Sequence, residues 1–239
     1  MQQIFERELL VHPTACDFDG RLGYAGAFGV FMDLATEHAE RLGVGLGAMR
    51  AKDRFWLTVK TRIVFFDRPQ ISEAVRLLTW PEKPGPLRFN RSYALRRADE
   101  LPVAGRTEWA VLNTATNSLA PSADVLPEGL EYERGSALDS GYARVPGSFE
   151  GIEPFAAYRV RCTDIDVGGH MNNAAYPRAL FGAFSSAQLQ AMDVRSVDLV
   201  FRAPCFEGDT LQFYKKEREN GLDLRMARGD ETVLLARIE

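Results

Sequence analysis

The chain has 239 residues, 46% of them hydrophobic and 26% charged, which is the make-up of an ordinary globular protein of one large or two small domains. A net charge of −4 gives no reason to expect nucleic acid. Cys16, Cys162 and Cys205 form neither a disulfide framework nor zinc-ligand spacing, three scattered histidines make no metal cluster, and no apolar run is long enough to span a bilayer, so the composition reads as a cytoplasmic protein with no metal, no organic cofactor and no membrane span.

Residues 1–10 carry Glu6, Arg7 and Glu8 and lack the apolar core of a signal peptide. Within them, residues 4–11 read as a short strand, broken by Asp17-Phe18-Asp19-Gly20-Arg21. Residues 24–42 follow as a helix, with Phe28, Phe31, Met32, Ala35, Ala39 and Leu42 on one stripe. Gly43 and Gly45 are expected to end it as left-handed caps. Four strands are expected next, over 55–66, 74–80, 87–97 and 103–113, divided by proline- and glycine-rich turns. Residues 117–149 show little regular pattern and read as a connector.

After Glu153 the order repeats: a strand over 156–162, a motif, one helix over 174–192, then strands over 195–202, 210–217, 222–227 and 232–238. Asp17-x-Asp19 pairs by eye with Asp164-x-Asp166, and Pro69 with Pro204, the first interval being 50 residues against 38 for the second. Strand, helix, then consecutive antiparallel strands, present twice, is an α+β order. It resembles a tandem (double) hotdog, in which two long helices are each wrapped by an antiparallel sheet and the sheets are joined. The expected division is an N-terminal domain over 1–134, a connector over 135–152 and a C-terminal domain over 153–239.

The chemistry concentrates in Thr163-Asp164-Ile165-Asp166-Val167-Gly168-Gly169-His170-Met171-Asn172-Asn173. Asp and Asn cap helices, so part of the stretch is capping. Capping does not call for two glycines and an imidazole. An acid, an imidazole and backbone donors are parts for acyl transfer or hydrolysis. Asp166 fits a general base or a nucleophile, and His170 a group that orients water, polarises a carbonyl or protonates a leaving thiolate. Gly168 and Gly169 fit either an oxyanion hole or a tight turn. Asn172 and Asn173 fit bracing better than water-holding. Cys205, between Pro204 and Phe206, fits a small buried residue better than a nucleophile. Glu37 and His38, adjacent on a helix, point about 100° apart and do not converge.

Leu34-Ala35-Thr36-Glu37-His38-Ala39-Glu40-Arg41-Leu42-Gly43-Val44-Gly45, Trp56, Leu78-Thr79-Trp80-Pro81 and Thr107-Glu108-Trp109-Ala110-Val111-Leu112 resemble the N-terminal half of acyl-ACP thioesterases. Asp164-Ile165-Asp166-Val167-Gly168-Gly169-His170-Met171-Asn172-Asn173-Ala174-Ala175-Tyr176 resembles their C-terminal motif. The resemblance implies hydrolysis of the thioester between a fatty acyl chain and acyl carrier protein. It implies that Asp166 and His170 carry the chemistry and that Cys205 lies near the family's cysteine position. It also implies that the first half, with Arg21-Leu22-Gly23 where a histidine would stand, is a spent copy holding the acyl chain against Phe28, Phe31, Met32, Trp56 and Trp80. Plant members have an asparagine where Gly168 stands and a glutamate where Pro204 stands. Gly168-Gly169-His170 with Asn172-Asn173 is instead similar to single-hotdog acyl-CoA thioesterases. An acyl-CoA thioesterase and a non-catalytic acyl-binding protein therefore stay open beside the leading reading, with a hydratase behind them. An acidic carrier protein calls for a basic patch, from Arg88, Arg91, Arg96 and Arg97 or from Lys215, Lys216 and Arg218. Hotdog sheets commonly pair, so a homodimer is expected.

Overall fold

The computed structural model describes residues 3–127, 129–132 and 134–239. It divides into two compact units, Met1–Gly141 and Tyr142–Glu239.

In the first unit, β1 (Phe5–Leu10) leads to α1 (Tyr24–Arg41), the short α2 (Leu46–Arg50), then β2 (Arg54–Phe65), β3 (Ala74–Pro81), β4 (Phe89–Arg97), β5 (Glu100–Asn113) and β6 (Ser118–Ala120). The strands pair antiparallel in the order β1-β3-β4-β5-β2, with β6 on β5. Ala27, Phe28, Phe31, Leu34, Ala35 and His38 form the buried face of α1, at the spacing of one helical stripe. Phe31 stacks on Tyr93 of β4 at 4.9 Å, and Tyr24 meets Phe65 of β2 edge-on at 5.1 Å. Gly105 of β5 makes that approach close: a Cβ there would stand 2.9 Å from the Phe31 ring. Gly43 ends α1 with φ +71, as a left-handed cap. Gly45 does not: its φ is −72, and it opens the short helix α2.

Side chains alternate across a strand, so the sheet has a second face. Thr79, Tyr93 and Gly105 pair in register on the α1 side, which puts Trp80, Ser92 and Arg106 on the other. There Leu78, Trp80 and Ala94 form a core with Ala137. The Trp80 Nε1–H donates to Gly135 O at 2.8 Å, and Ala137 N–H to Ser92 Oγ at 2.9 Å. The first residues of the expected connector are thus ordered against this face.

In the second unit, β7 (Ala156–Arg159), a 3-10 turn (Cys162–Asp164), α3 (Ala175–Phe181), α4 (Ser186–Met192), β8 (Ser196–Phe201), β9 (Thr210–Arg218), β10 (Gly221–Arg228) and β11 (Glu231–Ile238) follow in order. Its strands pair antiparallel as β8-β11-β10-β9-β7. The rest of the connector docks here: Ala143 N–H donates to Asp198 Oδ1 at 2.9 Å, and Val145 and Phe149 pack on Val200 and Leu235. The single helix expected over 174–192 is two. Apolar periodicity runs on through Ala187 and Ala191, but α4 buries no residue. The first helix ends at Phe181 with Gly182 as its cap, and Ser185 opens the second: its side chain accepts from Gln188 N–H, and the Gln188 side chain accepts from Ser185 N–H. α3 carries the packing, with Tyr176 meeting Phe201 edge-on at 5.5 Å. Each unit is a helix set against an antiparallel sheet, the hotdog arrangement.

Candidate active site

The motif closes on itself before α3 begins. Ile165 and Met171 form an isolated antiparallel bridge, so residues 166–170 make a tight loop. Asp166 N–H donates to His170 O, and Gly169 N–H returns to Asp166 O, both at 3.0 Å. Gly169 sits at φ +80, where a side chain is strained, which explains the second glycine. Gly168 N–H donates to Asp166 Oδ1 at 2.7 Å and fixes the carboxylate. The His170 Nδ1 lies 3.7 Å from that same oxygen. Both side chains are accessible, 26% for Asp166 and 31% for His170. A carboxylate and an imidazole therefore share one rim.

Both glycine N–H groups are engaged by Asp166. They hold the acid, and this places the two glycines as a tight turn and not as the oxyanion donors that were the other expectation. Asn172 is a brace: its Oδ1 accepts from Ala174 N–H at 2.8 Å, and its own N–H donates to Asp164 O at 2.7 Å. Asn173 sits beside it, half-buried.

The buried Asp164 was visible in the motif, but its partner was not. Its Oδ2 accepts from Tyr158 Oη at 2.7 Å and from Arg161 N–H at 2.8 Å. Burial, then this carboxylate, pushes the Tyr158 phenol up. The tyrosine is six residues upstream on β7, on the more buried side of that strand, where nothing in the sequence marks it as a partner of the motif. Tyr176 is a second brace. Its Oη accepts from Cys205 N–H at 3.2 Å, and Cys205 O accepts from Met171 N–H at 2.7 Å. Cys205 is wholly buried, and burial pushes its thiol pKa up. Such a thiol is protonated at neutral pH and a poor nucleophile.

The five expected acyl-chain residues are not brought together. Phe28 and Phe31 face the sheet from α1, and Met32 is half-buried beside them. Trp56 packs edge-on against Phe89 and Trp109, and its Nε1–H donates to Val44 O at 2.8 Å. Trp80 lies on the opposite sheet face, beneath Arg134 and Gly135. The first basic patch also breaks up: Arg91 is buried, and Arg97 is spent on Asp67, Glu73 and Glu100. In the second, Arg218 pairs with Glu239, and Lys215 sits over the Phe155 ring. Glu37 pairs with Arg7 and Arg41 and is separate from the buried His38.

The first unit holds a second turn of the same build. Cys16 and Leu22 form the bridge, Asp17 N–H donates to Arg21 O at 2.9 Å, Gly20 N–H to Asp17 O at 3.0 Å, and Leu22 N–H to Pro69 O at 2.7 Å. Gly20 has φ +73. These bonds equate Asp17 with Asp166, Asp19 with Gly168, Gly20 with Gly169, Arg21 with His170 and Pro69 with Cys205. The register read from the sequence is corrected by two residues at the aspartates and one at the prolines.

Among the described residues, no cluster of His, Cys, Asp and Glu could hold a metal ion, and no helix is long and apolar enough to cross a membrane. The family model of the acyl-ACP thioesterase C-terminal domain matches residues 152–236. An oleoyl-acyl carrier protein thioesterase of Arabidopsis thaliana is 22% identical over 75% of this chain and 54% of its own length. One of Coriandrum sativum is 22% identical over 76% and 54%. The chain spans about half the length of the curated relatives it matches. In fold it is similar to an acyl-ACP thioesterase of Bacteroides thetaiotaomicron (TM-score 0.86, 22% identity, covering 99% of this chain and 97% of that one). It is likewise similar to the 12:0-ACP thioesterase of Umbellularia californica (TM-score 0.83, 17% identity, covering 100% and 97%). The protein thus has the double-hotdog fold, its C-terminal unit matches the model of the acyl-ACP thioesterase C-terminal domain, and its sequence and fold are similar to those of acyl-ACP thioesterases along most of the chain.

Proposed function

We propose that the protein hydrolyses the thioester of fatty acyl-[acyl carrier protein] and releases the free fatty acid. The observation that carries this reading is the Asp166–His170 pair, held 3.7 Å apart on an accessible rim within the domain that matches the thioesterase family. Water adds to the thioester carbonyl, the C–S bond breaks, and the proton taken from water ends on the departing sulfur. Asp166 is the base that accepts that proton, and His170 is the donor to the carbonyl oxygen or to the thiolate. In the other route Asp166 attacks the carbonyl, the C–S bond breaks as the thiolate leaves with a proton from His170, and water then opens the resulting anhydride to give the fatty acid and the free Asp166 carboxylate. Single turnover in oxygen-18 water tests the second route: label left in the Asp166 carboxylate marks an anhydride opened at the Asp166 carbonyl, whereas the general-base route labels the fatty acid alone.

The first unit is read as the holder of the acyl chain, along Phe28, Phe31 and Met32. Carrier-protein docking on Arg88 and Arg96 or on Lys216, two chains associating as a homodimer, and residence in a reducing cytoplasm complete the proposal. Three free thiols support the last of these. Incubation with matched acyl-ACP and acyl-CoA thioesters tests the whole. Release from the carrier protein supports it. Release from CoA alone favours the acyl-CoA reading, which Gly168 in the asparagine position of plant members keeps in play. Binding without release favours a non-catalytic binder.

A further inference from the structure

The α1-facing side of the first sheet is where an apolar lining is expected, yet polar groups stand in its middle. Arg91 of β4 lies directly opposite Thr107 of β5, and Thr107 opposite Thr61 of β2, the two threonine Oγ1 atoms 3.1 Å apart. Tyr93 follows Arg91 on the same face and stacks on Phe31. The Arg91 Nη1–H groups have His38 Nδ1 at 2.9 Å and Thr79 Oγ1 at 3.3 Å. Among the described residues, no carboxylate lies within 4 Å of this buried guanidinium. Tyr93 is 0% exposed, and its Oη, close to Thr107 and Trp109, has no partner at hydrogen-bonding geometry. The buried Trp109 Nε1–H has none either.

Donors outnumber acceptors here. Guanidinium, indole N–H and phenol O–H all offer hydrogen, against one imidazole nitrogen, threonine oxygens that already share bonds and the single phenol oxygen. Buried donors without acceptors, and a buried cation without an anion, are unfavourable, and they persist where something else completes them. What fits is an oxygen acceptor carried on an apolar body, since the neighbours of these donors are otherwise apolar, Phe28 and Phe31 among them. We propose that Arg91, Tyr93 and Trp109 form a recognition site for an oxygen substituent (hydroxyl, keto or carboxyl) on the acyl chain, so that the preferred substrate is an oxygen-bearing acyl thioester and not a plain saturated one. The proposal rests on the reading of the first unit as the acyl-chain holder.

The test uses the full chain and acyl thioesters of one length, plain and with a hydroxyl at the β, mid-chain or terminal carbon. Alongside, calorimetry measures binding of the corresponding free acids. One hydroxylated isomer is expected to exceed the plain chain in kcat/KM by about 10-fold or more, because a site built to hydrogen-bond rejects the analogue that lacks the group. Tyr93→Phe should cut that ratio several-fold. Arg91→Met should abolish it with an unchanged or raised Tm, since a buried unpaired charge is removed. Equal or better turnover of the plain chain overturns the proposal, as does a ratio untouched by both variants or a sharp loss of Tm in Arg91→Met, which marks the arginine as structural. If no thioester is hydrolysed, the enzymatic reading fails by itself. Calorimetry then decides: tighter binding of one hydroxylated acid, lost in Arg91→Met, upholds the site, and equal or absent binding ends it.

Discussion

The two turns at Asp17 and Asp166 share a backbone and differ in what reaches the acid. In the first, Arg68 donates to Asp17 Oδ2 and Asp19 Oδ2, each at 2.9 Å, and to Leu22 O at 2.8 Å, while its guanidinium stacks 4.3 Å from the Tyr24 ring centre. In the second, the position of Arg68 is taken by Pro204, Asp19 becomes Gly168, and Arg21 becomes His170. The first acid is clamped by an arginine only 13% exposed, and the second stands beside an imidazole. One scaffold thus yields a charge-clamped knot when a cation fills it and an accessible acid–imidazole pair when it is left to glycine and histidine. The braces differ accordingly: Tyr158–Asp164 and Tyr176–Cys205 have no counterpart at Leu9, Ala15 and Ala27.

The largest difference between the two copies should appear at the acids. Asp166→Asn is expected to lower kcat about 10³-fold with Tm unchanged. Asp17→Asn should leave kcat alone and destabilise the fold by about 1–3 kcal/mol, because it weakens a half-buried, charge-assisted pair. If urea melts and steady-state rates show the reverse, the roles of the copies have been exchanged. His170→Ala should slow turnover about 10²-fold with little loss of Tm, and Arg21→Ala should do neither.

Gly169→Ala and Gly20→Ala sharpen the comparison at the backbone. Neither Cβ would meet an atom within 4 Å, so each substitution bears only the left-handed strain, about 1–2 kcal/mol. Equal Tm losses are expected, with a rate loss at Gly169 alone. The smallest effect belongs to Cys205→Ala, whose kcat should stay within about twofold, since a buried protonated thiol is inert. Burial raises this thiol above its ordinary range. Above that range the unfolded chain releases a proton that the folded chain keeps. The contribution of Cys205 to stability is therefore complete below the ordinary thiol pKa and lost as pH rises through the raised one. Cys205→Ala should flatten the alkaline side of the stability curve, which thermal melts across pH 7 to 10 would reveal.

Much of the architecture was legible. Helical spacing marked α1, since its stripe is wide and packs along its whole length, and Gly43 gave its end. Alternation and proline punctuation marked the strands to within a few residues. The break between α3 and α4 was not legible, because apolar periodicity runs through it and a serine capping box decided otherwise. The exact repeat register was missed because Asp-x-Asp occurs in both halves, and only hydrogen bonding shows which aspartates correspond. The family resemblance groups Trp80 with Phe28 and Phe31, whereas sheet pleating sends it to the far face.

By itself, the sequence determined the order of elements, their doubling, and the turn in which Asp166, Gly168, Gly169 and His170 stand together. These are local matters, set by spacing, side-chain period and the backbone freedom of glycine. Only the tertiary structure decided which charges are buried, which turn Arg68 closes, where Arg91 points, and that both glycine N–H groups are spent on Asp166. Those facts depend on partners tens of residues apart in the chain, and no local pattern encodes which of several arginines will find which acid.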